Sequence, residues 1–84
     1  MTVLMGDAPV LLKHCEAETN CFRFYHLDIQ PTLFGGWSLV RQWGRIGTWG
    51  RQVVSCFDTI GEAREASRRM VKAKCRRGYA VVAS

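Results

Sequence analysis

Long hydrophobic runs, proline and acidic residues are all scarce in this 84-residue sequence. No segment approaches the roughly 20 consecutive apolar residues that a membrane-spanning helix needs, so we expect no membrane association. The two prolines and the 48% hydrophobic content argue against disorder, and the length suits a single domain. The first residues, MTVLMGDAPVLL, lack a basic segment and include Asp7, which argues against a signal peptide. We therefore expect a cytoplasmic protein.

Cysteine is present, but in no metal-binding pattern. The four cysteines, Cys15, Cys21, Cys56 and Cys75, include no CxxC pair. Without a secretory signal their thiols should stay reduced, and we expect them to be buried or half-buried. A zinc site from His14, Cys15, Cys21 and a distant cysteine is the alternative. The paired close spacings of structural zinc sites are missing, so we predict no metal site.

The basic excess of the chain lies in its last third. The formal net charge is +5, although the charges up to residue 58 cancel. Over residues 59–84, Glu62 and Glu65 stand against the basic residues Arg64, Arg68, Arg69, Lys72, Lys74, Arg76 and Arg77. This concentration favours a polyanionic partner, with nucleic acid first. The alternative is a solvated helix face that keeps the protein soluble, and charge alone does not separate the two.

Four segments have the composition and alternation of β-strands. They are residues 10–16, 21–30, 37–43 and 51–57. In the second segment Tyr25 and Leu27 share one face, and in the third Trp37 and Trp43 do. Short connections between consecutive strands favour an antiparallel sheet.

A helix is predicted after the fourth strand. Thr59 and Glu62 have the spacing of a capping box, and Gly78 suits a left-handed C-cap. Small and apolar residues recur at helical spacing and form a narrow face: Ala63, Ala66, Ser67, Met70 and Val71. The opposite face is basic, with Arg68, Arg69, Lys72 and Arg76, and Glu65 is placed to pair with Arg69.

These elements predict an α+β fold in which one α-helix packs on one face of an antiparallel β-sheet. The sheet should have about four to five strands, because residues 79–82 can add a short last strand to the four above. We expect one domain over residues 10–82, preceded by a flexible N-terminal segment over residues 1–9.

No group of residues forms a recognisable catalytic or cofactor-binding pattern. The segment GWS does not match the nucleophile elbow G-x-S-x-G, and Gly35-Gly36 lacks the lysine and spacing of a phosphate loop. His14 and His26 have no partner evident from the sequence. We therefore expect a non-catalytic binding module, with no cofactor and no small-molecule substrate.

The stretch from Trp37 to Arg51 is the strongest candidate for binding. Its tryptophans, Trp37, Trp43 and Trp49, alternate with Arg41, Arg45 and Arg51. Indole rings can stack on bases, and arginines can hold phosphates. We expect Trp37 to fill the core and Trp43 to be partly packed with an edge or face free. Trp49, inside a turn, should be exposed.

Residues 37–48, WSLVRQWGRIGT, closely resemble the central motif of the WGR domain. Shorter matches are Asn20 with RFY at 23–25, LFG at 33–35 and KCRRGY at 74–79. Together they extend over roughly residues 10–80 and are similar to the small stand-alone bacterial form of the domain.

The resemblance implies a sheet with one packed helix and a domain that, in poly(ADP-ribose) polymerases, binds DNA at strand breaks. It implies stacking by Trp43, phosphate or partner contact by Arg45, and a contact of Asn20 with the end phosphate. The expected nucleic-acid-binding residues are Asn20, Arg41, Trp43, Gly44, Arg45, Trp49 and Arg51. We expect DNA rather than RNA and a role in DNA repair, but no transferase activity, since the chain has no such catalytic domain.

Trp and Arg also anchor protein interfaces. A protein-interaction adaptor that uses the same Trp and Arg surface is therefore the second hypothesis.

Overall fold

The computed structural model describes residues 9–83 of the chain. The predicted flexible segment, residues 1–9, lies outside this range except for Pro9. The strands are β1 (Val10–Glu16), β2 (Cys21–Pro31), β3 (Trp37–Arg45), β4 (Arg51–Phe57) and β5 (Ala80–Ala83), and the helix α1 is Ile60–Arg76. A 3-10 turn, Ala17–Thr19, joins β1 to β2.

The five strands form one antiparallel sheet in the order β4-β3-β2-β1-β5. The predicted α+β class, with a single helix on the sheet, is confirmed. The observed bounds differ from the predicted ones most at β3, which continues through Gly44 and Arg45. None of the helical structure within residues 9–83 is long and apolar enough to cross a membrane.

The core lies between the helix and one face of the sheet. Leu12, Tyr25, Leu27 and Leu39 are buried on that face, and Ala63 is the buried residue of α1. Partly buried side chains complete the layer: Val10, Ile29, Trp43, Phe57, Ala66, Met70, Val71 and Tyr79. Each fully buried leucine contributes on the order of 1.5–3 kcal/mol. The predicted alternation of β2 and the predicted apolar face of α1 are both confirmed.

Both ends of α1 follow the sequence signals. The Thr59 hydroxyl accepts from the backbone N–H of Glu62, and the Glu62 carboxylate accepts from the backbone N–H of Thr59. Gly78, just past the helix, has a φ of +100°, which only glycine adopts without strain. Glu65 pairs with Arg68 and Arg69, each at 3.3 Å.

The structure corrects two expectations about buried side chains. Trp37 is half-buried and does not pack on the central core, because it begins β3 at the end of the sheet, opposite Pro31 and Phe57. Cys15, Cys56 and Cys75 are exposed, and Cys21 alone is half-buried, as expected. Alternation places Cys15 and Cys56 on the sheet face that the helix leaves uncovered.

Candidate nucleic-acid interface

A groove of about 490 Å³ opens at the end of the sheet where β2 begins and β3 ends. Residues from the β1–β2 turn, β2, β3, the end of α1 and the segment after α1 line it. They are Thr19, Asn20, Cys21, Phe22, Arg23, Trp43, Gly44, Arg45, Lys74 and Tyr79. The structure thus brings together Asn20, Trp43, Gly44 and Arg45 of the expected binding residues. We call this site the Trp43 groove.

The Trp43 ring is half-buried: it packs against the protein and is still partly accessible from the groove. The ring lies nearly parallel to that of Tyr25, with centroids 5.7 Å apart and an angle of 14° between the planes. Tyr25 is its direct neighbour across the β2–β3 register and is buried, whereas Trp43 is only half-buried. The guanidinium of Arg41 lies 5.8 Å from the Trp43 ring centroid. Tyr25 therefore fixes the indole plane while part of the ring still faces the groove.

The turn after Trp43 is built by the residues of the motif. The backbone N–H and the hydroxyl of Thr48 both donate to the Arg45 carbonyl, at 3.0 and 2.7 Å. Gly47, the third residue of this turn, has a φ of +95°, as a type II turn requires. The turn ends β3 and leaves the Arg45 side chain exposed at the groove.

The two Trp-Gly-Arg copies contact each other across the β3–β4 hairpin. Trp43 of the first copy pairs with Arg51 of the second. A Cβ on Gly44 would lie 2.7 Å from the Gly50 Cα, and a Cβ on Gly50 would collide with the carbonyl oxygen of Trp43. Both middle positions require glycine, because the two backbones approach too closely for a side chain.

Positive charge gathers at the groove. Arg23 and Arg45 are directly opposed in the β2–β3 register, so their side chains leave the sheet on the same face. Both are exposed. Within residues 9–83, no carboxylate pairs with Arg23, Arg45 or Lys74.

Lys74 reaches the groove from the last turns of α1. Its Nζ lies 4.6 Å from the ring centroid of Tyr25 and 5.7 Å from that of Tyr79. Burial lowers the pKa of Lys74 below its usual value of 10.5, and the nearby guanidiniums of Arg77, Arg41 and Arg23 lower it further. An anion in the groove would offset this repulsion.

Asn20 stands at the rim of the groove in a left-handed conformation, with φ 52° and ψ 40°. Asparagine adopts this conformation more readily than most residues. Its backbone N–H closes the 3-10 turn by donating to Ala17 at 3.1 Å, and the residue is exposed. The turn therefore presents the Asn20 amide toward solvent beside Arg23 and Arg45.

The sequence-based site set omits six residues that line the groove, among them the cations Arg23 and Lys74 and the aromatic Tyr79. Lys74 follows Met70 and Val71 by four and three positions, which places a lysine on the apolar face of the helix. A lysine at such a position is a detectable signal. Arg23 shares a strand face with Tyr25, but its pairing with Arg45 depends on the sheet register.

Several expected contributors lie outside the groove. Trp49 is exposed in the turn, as predicted, with its carbonyl oxygen accepting from the Gln42 side chain at 2.7 Å, and it is not a groove-lining residue. Arg41 and Arg51 flank Trp43 without lining the groove. The basic helix residues Arg68, Arg69, Lys72 and Arg76 do not line it either.

Of the residues of the alternative zinc site, His14 and Cys21 lie close together and Cys15 does not join them. The Cys21 sulfur lies 3.8 Å from Nδ1 of His14, and Nε2 of His14 lies 3.7 Å from Glu16. Cys15 points to the opposite face of β1. Among residues 9–83, no group of three or more His, Cys, Asp or Glu side chains is placed to hold a metal ion.

The fold and the groove define a small basic α+β domain with an aromatic, cationic groove. The chain belongs to the WGR domain family, whose model matches residues 8–84. The WGR domain is a non-catalytic module of the nucleic-acid-binding type in proteins like the poly(ADP-ribose) polymerases.

One curated relative is similar in sequence to most of the chain. The chain is 36% identical over 78 residues to the uncharacterized protein y4dW of Sinorhizobium fredii (strain NBRC 101917 / NGR234). The match covers 90% of this chain but 38% of the relative, so the chain spans well under half of that protein. No solved structure matches the chain significantly.

Proposed function

We propose that this protein is a non-catalytic DNA-binding module that holds DNA ends or strand breaks in the Trp43 groove. The observation that carries the proposal is the convergence of the half-exposed Trp43 ring with three cations that lack a carboxylate partner within residues 9–83: Arg23, Arg45 and Lys74. A role in DNA repair follows from a preference for ends and breaks.

Stacking on Trp43 supplies the preference for an end. Base stacking on an aromatic side chain contributes on the order of 1–3 kcal/mol per base. A base pair inside a duplex has both faces covered by its neighbours, whereas the last pair at an end or break has one face free. Because Tyr25 already lies against the indole, Trp43 offers one surface and holds it in a fixed orientation.

Arg45 and Arg23 supply phosphate contacts. A phosphate between the two guanidiniums would replace their mutual repulsion with charge-assisted hydrogen bonds. Asn20 would contact the end phosphate from the rim, and Gly44 would contribute backbone to the groove, since Gly50 occupies the place of its missing Cβ. Arg41, two residues before Trp43 on β3, and Arg51, its neighbour on β4, would extend the contact beyond the groove. Such contacts predict weak sequence preference and strong salt dependence.

The test is a fluorescence anisotropy titration with blunt hairpin DNA, nicked DNA, a closed duplex without ends, single-stranded DNA and RNA. We expect the blunt and nicked DNAs to bind best, with affinity falling steeply as salt rises. Arg45→Gln should weaken binding by about ten- to a hundredfold, since a charged hydrogen bond contributes about 1.5–3 kcal/mol. The matched control, Arg68→Gln on the far face of α1, should bind like the parent.

Equal affinity for the closed duplex and for the blunt and nicked DNAs would contradict end recognition. Binding would then be explained by charge attraction alone. Absence of binding to every nucleic acid would overturn the proposal. A protein that stays bound to the chain after nuclease treatment, and is lost with Arg45→Gln, would then indicate an adaptor.

A further inference from the structure

The edge strand β4 has the features of a self-pairing surface. It lies at one edge of the sheet order, so one side of its backbone has no strand partner within residues 9–83. Its seven residues run in register with β3 without a bulge, and they include no proline, no acidic residue and Arg51 as the single charge. Proteins usually protect such edges with charges, prolines or bulges. None of these devices interrupts β4.

Five exposed apolar side chains lie along this strand and near its two ends. Val53 and Val54 of β4 are 39% and 52% exposed, and Trp49 in the turn before Arg51 is 86% exposed. Leu33 and Phe34, in the β2–β3 loop, are 97% and 96% exposed.

That loop sits beside the other end of β4. The Cβ position of Gly36 lies 2.8 Å from the Phe57 carbonyl oxygen. Two hydrogen bonds close the loop. The backbone N–H of Thr32 donates to the Gly36 carbonyl at 2.9 Å, and the backbone N–H of Gly36 donates to the Thr32 hydroxyl at 3.0 Å. Leu33 and Phe34 are therefore exposed to solvent on a hydrogen-bonded turn.

We propose that two copies of this chain pair along β4 in an antiparallel, two-fold symmetric dimer centred on Val54. In this register Val54 of one copy pairs with Val54 of the other, and Arg51 of one copy pairs with Phe57 of the other. An interface of this kind must be self-complementary, with each end of the strand meeting the other end. The exposed Trp49 at one end and the exposed Leu33–Phe34 turn at the other satisfy that requirement.

The charges agree with this register. Arg51 is kept away from its symmetry mate by the length of the strand, and it meets the end of β4 that continues into Asp58. The aromatic ring of Phe57 opposite Arg51 adds a favourable cation–π partner. Because the Arg51 ends point away from each other, the two Trp43 grooves would open at opposite ends of the joined sheet.

The test is sedimentation equilibrium of the full chain, nuclease-treated and kept reduced, over a wide concentration range. It uses no nucleic acid, so its outcome is independent of the proposed function. We expect a monomer–dimer equilibrium that Val54→Lys weakens by about tenfold or more through like-charge apposition and loss of apolar contact. The matched control is Val82→Lys on the other edge strand, since Val82 is 53% exposed and should leave the equilibrium unchanged.

Thermal unfolding at low concentration checks that both variants fold. Phe34→Ala and Trp49→Ala should each weaken the dimer, and the double variant should weaken it by less than the product of the two effects, since the side chains contact each other. A monomer at every concentration, or dissociation caused by Val82→Lys, would overturn the β4 interface.

Discussion

Arg23 and Arg45 lie directly opposite each other in the β2–β3 register, at the mouth of the Trp43 groove. Like charges in opposed positions destabilise an antiparallel pair, and no carboxylate within residues 9–83 pairs with either guanidinium. The sheet therefore keeps two positive charges together at some cost to its own stability. An anionic ligand would remove that cost.

Arg45→Gln should accordingly stabilise the free protein. We expect the free energy of unfolding to rise by about 0.2–1 kcal/mol at low salt, because the opposed charge is gone, and the gain to fade at high salt. Urea denaturation at two salt concentrations measures both. The control Arg68→Gln breaks an exposed pair with Glu65 and should change little. Lower stability of Arg45→Gln at low salt would show that the two arginines do not repel.

Trp43 and Trp49 should respond differently to truncation. Trp43→Ala removes the ring stacked on Tyr25, so we expect a loss of about 2–3 kcal/mol of unfolding free energy. Its affinity for DNA ends should fall more than its affinity for closed duplex. Trp49→Ala at low protein concentration should stay within about 0.5 kcal/mol of the parent and bind ends normally. Denaturation and anisotropy, both at a temperature where each variant is folded, test this. Equal effects of the two changes would mean that Trp43 has no special role.

The glycines of the hairpin should differ in their tolerance of a methyl group. Gly47→Ala meets open space and carries only the strain of a positive φ, about 1 kcal/mol. Gly50→Ala adds a collision with the Trp43 carbonyl to that strain, so we expect a loss of about 3 kcal/mol or more. Thermal or urea unfolding of the two variants gives the comparison. A similar cost for both would contradict the close approach of Gly50 to Trp43.

Lys74 should make stability depend on pH in the alkaline range. Its pKa in the folded chain is lowered by burial and then by Arg77, Arg41 and Arg23, so the folded state releases this proton before the unfolded state does. Between the lowered pKa and 10.5 the unfolded chain binds more protons, and the contribution of Lys74 to stability rises with pH. At pH values below the lowered pKa, Lys74 is charged in both states, and its full cost to the free energy of unfolding is present.

The measurement compares the parent with Lys74→Gln, which cannot titrate. The difference in unfolding free energy should shift in favour of the parent as pH rises from neutral toward 10.5. Lys72→Gln, an exposed change on the same helix, is measured in parallel as the control for the loss of one lysine charge. A constant difference for Lys74→Gln would show that its pKa is not lowered.

Local sequence signals predicted most of the fold because short-range physics decides them. Period-two alternation placed the core face of β2, and Thr59, Glu62 and Gly78 marked the ends of the helix. The expectations for Trp37 and for three cysteines were wrong for different reasons. Trp37 lies at the end of the sheet, away from the central core, Cys15 and Cys56 lie on the uncovered sheet face, and Cys75 is exposed on α1.

In the candidate site, too, some features follow from the sequence and others depend on the tertiary structure. The sequence by itself determined the motif WGRIGT, its turn and the presence of Trp, Arg and Asn side chains in a basic chain. The opposition of Arg23 to Arg45, the approach of Lys74 to Tyr25 and the contact of Gly44 with Gly50 were decided by strand register and helix packing. The first two contacts join residues far apart in the sequence, and the third depends on the register of the β3–β4 hairpin, so only the tertiary structure places these residues side by side.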